Sequence, residues 1–132
     1  MPPTTILIVD DSRVSRLMAR QYILGRHADW VVDEAGSGEE ALARIAAATE
    51  DGVAGPDLVL MDVNMPGMGG IAAAEQLRRL APALKIALLT ANVQRATRER
   101  AAELGIGFME KPITAERIAQ LLAVLEGPPC SS

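Results

Sequence analysis

Apolar residues gather into short runs along this chain: Ile6-Leu7-Ile8-Val9, Leu58-Val59-Leu60-Met61, Ile86-Ala87-Leu88-Leu89 and the shorter Phe108-Met109. The runs are nearly continuous rather than alternating, as in parallel strands covered on both faces. They predict strands at Thr5–Val9, Asp57–Met61, Lys85–Leu89 and Gly107–Met109, with a short one at Trp30–Glu34. Amphipathic segments fill the intervals. The first helix is predicted from Ser12, a good N-cap, to Leu24. Ser37-Gly38-Glu39-Glu40 has the form of a capping box, and its helix is expected to reach Ala48. Thr49–Pro56 then reads as a loop. Further helices are predicted at Gly70–Leu80, before Pro82, and at Gln94–Leu104, before Gly105. A last one is predicted at Ala115–Leu125.

Strict alternation of strand and helix points to an α/β fold with a parallel sheet. Right-handed crossovers leave few orders for five strands, and the flavodoxin-like doubly wound (βα)5 order 2-1-3-4-5 is a common one. No linker divides the chain and no internal repeat is visible. The expectation is one domain over 1–132, with a core of about 5–126 and a flexible tail at 127–132.

Composition narrows the function classes. The 132 residues are 49% apolar and 2% aromatic, so a full core must come from Ala, Leu, Ile, Val and Met. A net charge of −4 argues against direct binding to nucleic acid or an anionic membrane. The one cysteine, Cys130, cannot form an internal disulfide. No segment reads as a signal peptide or a membrane span, and the expected location is cytoplasmic.

The chemistry collects where the runs stop. The first ends in Asp10-Asp11, the second in Asp62, the third in Thr90, and Lys111-Pro112 follows the last. Open α/β sheets bind ligands at the carboxyl ends of their strands. In the predicted order these ends are neighbours, bringing together three carboxylates, a hydroxyl and an ammonium. Like charges at ~4 Å cost about 1 kcal/mol in water and about 4 kcal/mol at an effective dielectric of ~20. Such a cluster calls for a cation. Mg²⁺ prefers carboxylate and carbonyl oxygens, and it often shares them with phosphate.

Val9-Asp10-Asp11-Ser12, Leu60-Met61-Asp62-Val63-Asn64-Met65-Pro66-Gly67, Leu89-Thr90-Ala91 and Glu110-Lys111-Pro112 together resemble the receiver domain of two-component response regulators, over nearly all of 5–126. The resemblance implies that Asp62 is the phosphoacceptor, with Mg²⁺ held by Asp11 and Asp62 directly, by Asp10 through water, and by the backbone carbonyl of Asn64. It implies that Thr90 and Lys111 bond the phosphoryl oxygens, and that Lys111-Pro112 is a candidate cis bond. It further implies a switch in which Thr90 moves toward the phosphoryl group and Phe108 turns inward. Many relatives carry Tyr there, so this switch would lack the hydroxyl. Asn64 and Asn92 would flank the phosphoryl group.

The implied partners are a sensor histidine kinase or a histidine phosphotransfer protein, with an effector that reads helix four, strand five and helix five. Arg95, Arg98 and Arg100 on helix four read as a solvated face or as a docking patch for an acidic partner. The implied activity is signalling, with self-catalysed phosphorylation and dephosphorylation but no turnover of an outside substrate. Met1 and the short Pro-rich tail suit a stand-alone receiver. The alternative is a phosphate-sink or phosphorelay receiver cut from a larger regulator or hybrid kinase. An aspartyl-phosphate phosphatase of the haloacid-dehalogenase type fits less well, because its Asp-x-Asp pattern on the first strand is missing. A nucleotide-binding domain lacks its glycines at Asp10-Asp11-Ser12-Arg13. His27 reads as a solvated loop residue.

Overall fold

A computed structural model describes residues 4–52, 55–63, 69–82, 84–91, 94–110 and 113–126. The elements run β1 (Thr5–Val9), α1 (Arg13–Arg26), β2 (Val31–Ala35), α2 (Gly38–Asp51), β3 (Leu58–Asp62), α3 (Gly70–Leu80), β4 (Lys85–Thr90), α4 (Arg95–Leu104), β5 (Gly107–Glu110) and α5 (Ala115–Glu126). The strands form one parallel sheet in the order β2-β1-β3-β4-β5, as the patterning predicts.

Side chains alternate across each strand, so a continuous apolar run feeds two cores. Leu7, Val9, Val59, Met61, Ile86 and Leu88 face Ala41 and Ile45 of α2, Ala73, Ala74 and Leu77 of α3, and Ala101 of α4. Ile6, Ile8, Leu58, Leu60, Ala87 and Leu89 face Ala19 and Ile23 of α1 and Ile118, Leu121 and Leu122 of α5. Both faces of the sheet are therefore covered, three helices on one and two on the other. Burying one such aliphatic side chain is worth about 1.5–3 kcal/mol.

Most element ends shift by a residue or two from the sequence expectation, and some of the differences have a visible cause. The turn expected to open a loop at Thr49 is helical to Asp51. The Thr49 hydroxyl donates to the Ile45 carbonyl at 2.9 Å, and Gly52, at φ 67°, supplies the left-handed stop. Trp30 lies before β2 rather than in it, and its ring stacks on His27 with centroids 4.0 Å apart. His27 is accordingly a half-buried helix terminus, not a solvated loop residue. In the capping box, Ser37 Oγ accepts from the Glu40 N–H as expected, but Glu40 reaches past Ser37 to the Gly36 N–H. That bond holds the Glu40 carboxyl below its ordinary range. Its small contribution is present above the unfolded value and fades as pH falls through the folded one.

Arg78, in the last turn of α3, ties the lower end of the domain together. Its guanidinium donates to the carbonyls of Leu84 (2.6 Å), Pro82 (2.9 Å), Leu104 (3.2 Å) and Gly105 (3.3 Å). These lie where α3, α4 and β4 end or begin. Charged hydrogen bonds contribute about 1.5–3 kcal/mol each, with strong non-additivity. Arg78→Met is expected to lower unfolding stability by about 2–4 kcal/mol, read as the midpoint of a urea melt. A loss below about 0.5 kcal/mol would show the bonds to be replaceable by water.

Candidate functional site

Asp10 directly follows β1 and is 1% exposed; Asp62 ends β3 and is 4% exposed. Val9 of β1 pairs with Met61 of β3, which sets the two acids at the same level of the sheet edge. The Asp10 N–H donates to the Ala35 carbonyl at 3.1 Å, and its Oδ1 accepts from the Ser12 N–H at 2.9 Å. Ser12 also caps α1, its Oγ accepting from the Ser15 N–H. One short segment thus ends a strand, carries two carboxylates and starts a helix. Carboxylate oxygens of Asp10, Asp11 and Asp62 lie within 4.8 Å of one another, with Asp11 exposed.

Thr90 ends β4 and is 1% exposed. Asp62 pairs with Leu89, and the Val63 N–H donates to the Leu89 carbonyl at 2.8 Å, so Thr90 sits beside the end of β3. Thr90 pairs in turn with Glu110, the last residue of β5. Lys111 follows Glu110 directly in the chain. Lys111, Pro112, Asn64 and Asn92 lie outside the described residues. Phe108 is half-buried and pairs with Leu88. It therefore shares a sheet face with Thr90 and is its diagonal neighbour.

The donor set is all oxygen, drawn from three carboxylates of which two belong to buried residues. It fits a hard divalent cation such as Mg²⁺ better than a thiophilic metal. The fit comes from chemistry and spacing together: oxygens within 4.8 Å can share one small ion.

Two residues that build this edge are not legible from local sequence. Gly70 opens α3 against the end of β3, its N–H donating to the Val63 carbonyl at 3.1 Å. A Cβ on Gly70 would meet the Asp62 carbonyl carbon and oxygen and the Val63 Cα. Arg16 reaches from α1 to the backbone of Asp10. Both are contacts between elements and have no local signature. The basic residues of α4 are partly neutralised: Arg95 pairs with Glu99 at 3.2 Å and Arg100 with Glu75 at 2.8 Å. The Arg100 guanidinium holds the Glu75 carboxyl below its ordinary range.

A family model, the response regulator receiver domain, matches residues 6–123. The chain belongs to this family. The receiver is 35% identical over 126 residues to TcrX of Mycobacterium tuberculosis, named as a probable transcriptional regulatory protein, covering 93% of this chain and 50% of that one. It is 34% identical over 116 residues to the transcriptional regulatory protein ResD of Bacillus subtilis, covering 87% of this chain and 45% of the relative. The chain thus spans about half the length of these curated relatives.

Among solved structures, a LuxR-family two-component response regulator from Aurantimonas matches with a TM-score of 0.80 and 31% identity, over 95% of this chain and 86% of that one. The chemotaxis protein CheY4 of Vibrio cholerae matches with a TM-score of 0.77 and 27% identity, over 93% and 98%. The receiver therefore belongs to two-component signalling. No helix among the described residues is long and apolar enough to cross a membrane.

Proposed function

We propose that this receiver takes a phosphoryl group onto Asp62 from a phosphohistidine, supplied by a sensor histidine kinase or a histidine phosphotransfer protein. The observation that carries this reading is the cluster of Asp10, Asp11 and Asp62 oxygens within 4.8 Å at the carboxyl edge of the sheet. An Asp62 carboxylate oxygen attacks phosphorus. The phosphorus–nitrogen bond breaks, and its electron pair stays on the imidazole nitrogen of the donor. The product on this chain is an acyl phosphate.

Asp10, Asp11 and Asp62 would hold Mg²⁺, with the Asn64 carbonyl as a further ligand by resemblance. When bound, Mg²⁺ neutralises charge on the phosphoryl oxygens and orients them. In this reading Thr90, at the end of the neighbouring strand, donates its hydroxyl to a phosphoryl oxygen, and Lys111 pairs with another by resemblance. The set offers positioning and charge neutralisation, the main needs of phosphoryl transfer.

The added group carries about −1.5 to −2 charges and new acceptor oxygens. Movement of Thr90 toward it would open space on the face shared with Phe108, whose half-buried ring can follow. The effector would read this change on α4, β5 and α5.

The test is incubation with acetyl phosphate and Mg²⁺, followed by intact mass and released inorganic phosphate. One added phosphoryl group per chain is expected, with no release from general phosphatase substrates. Many turnovers of such substrates per site would favour a phosphatase and overturn the reading.

A further inference from the structure

Arg16 lies on α1 outside the acidic cluster, yet it holds the backbone that carries two of the three acids. Its Nη1 donates to the Asp10 carbonyl at 2.5 Å, and its Nε donates to Glu34 Oε1 at 2.9 Å. Glu34 Oε2 accepts from Arg20 Nη1 at 3.2 Å, and Arg20 also donates to the Val32 carbonyl. The Arg16 side chain is only 18% exposed. The Asp10 carbonyl belongs to the peptide that joins Asp10 to Asp11. Because that peptide is planar, a bond to its oxygen sets the direction in which Asp11 leaves. The preceding peptide is held from the other side, through the Asp10 N–H on β2. Asp11 is exposed and has little packing to fix it, so its placement depends on its backbone.

We infer that Arg16 is a positioning residue for the divalent-cation site. Its guanidinium, braced by Glu34, sets the Asp10–Asp11 peptide so that the Asp11 carboxylate converges on Asp10 and Asp62. The inference rests on the proposed cation-binding role of that cluster. A planar fork is needed to engage Glu34 and the carbonyl at once, and a lysine ammonium cannot reproduce it.

Charge and position act in opposite directions here, which makes the inference testable. Arg16 is a cation near the cluster, so removing its charge alone would tighten Mg²⁺ binding. Removing a positioning contact weakens it, and loss of such supporting bonds around a metal site costs about 10–100-fold in affinity.

The experiment is a Mg²⁺ titration followed by the backbone amide shifts of Asp11 and Ser12, on wild type, Arg16→Met and Arg20→Met. The Arg16→Met midpoint is expected to rise at least about tenfold, and the Arg20→Met midpoint to stay within about twofold. Arg20→Met also removes a Glu34 ion pair but leaves the Asp10 carbonyl bonded. An unchanged or lower midpoint in Arg16→Met overturns the proposal, as does an equal rise in Arg20→Met. If Arg16→Met lacks the dispersed spectrum of a folded chain, Arg16→Lys carries the same titration and the same criterion. Absence of any Mg²⁺-dependent shift in wild type would overturn the reading of the cluster itself.

Discussion

Gly70→Ala is expected to lower unfolding stability by about 2–4 kcal/mol, because overpacking against atoms that cannot give way costs about 1–3 kcal/mol and occasionally more. The atoms a new methyl would meet are the carbonyl carbon and oxygen of Asp62 and the Cα of Val63. They are backbone, at the end of a strand bonded on both sides, and no rotamer change relieves the clash. The approach is fixed further by the Gly70 N–H donating to the Val63 carbonyl and by Gly69 at φ 80° and ψ 158°, a conformation open essentially to glycine. The helix start must therefore back away or the end of β3 must shift. Either movement displaces Asp62, so the folded fraction should also take up phosphoryl groups more slowly than wild type. Urea denaturation and the acetyl phosphate reaction measure the two effects. A variant within about 0.5 kcal/mol of wild type, reacting at the wild-type rate, would show that α3 is not seated on this backbone.

Asp62→Asn is expected to lose phosphoryl uptake altogether while making the cation-free protein more stable. The amide has no carboxylate oxygen with which to attack phosphorus. It also removes one of three acidic groups whose oxygens lie within 4.8 Å of one another. Like-charge pairs at such distances cost about 1 kcal/mol in water and more where the dielectric is lower, so a gain of about 1–2 kcal/mol is expected without divalent cation. The sign should reverse with Mg²⁺. A ligand that binds only the folded state stabilises it in proportion to the logarithm of its concentration over Kd. Wild type should therefore gain more from Mg²⁺ than the variant. Thermal melts with and without 10-mM-scale Mg²⁺ would contradict this if the variant were the less stable in the cation-free melt.

Much of this domain can be read directly from its residues. Ile6–Val9 and Leu58–Met61 announce buried parallel strands because apolar side chains are needed on both faces. Ser12 and Ser37 mark helix starts through bonds that span three residues, and both bonds are present. The acidic residues and Thr90 are legible because each ends an apolar run, and strand ends in a parallel sheet share one edge. What the sequence leaves out depends on contacts between elements. The glycine run before α3 reads as a turn, and nothing local reveals that Gly70 must touch the backbone of Asp62. Arg16 reads as one more polar residue on α1, although it bridges Glu34 of β2 and the Asp10 carbonyl. Trp30 reads as a strand residue by its propensity, whereas stacking on His27 holds it in the preceding turn.

If Asp62 is the phosphoacceptor, locating the acyl phosphate itself tests it most directly. Wild type and Asp62→Asn would be treated with acetyl phosphate and Mg²⁺, reduced with borohydride, digested and sequenced by mass. An acyl phosphate on Asp62 is reduced there to homoserine. That conversion is expected at Asp62 in wild type, with its loss when Mg²⁺ is chelated and no conversion at Asp10 or Asp11. Homoserine at Asp10 or Asp11 in wild type, or equal labelling of the Asp62→Asn variant, would contradict it.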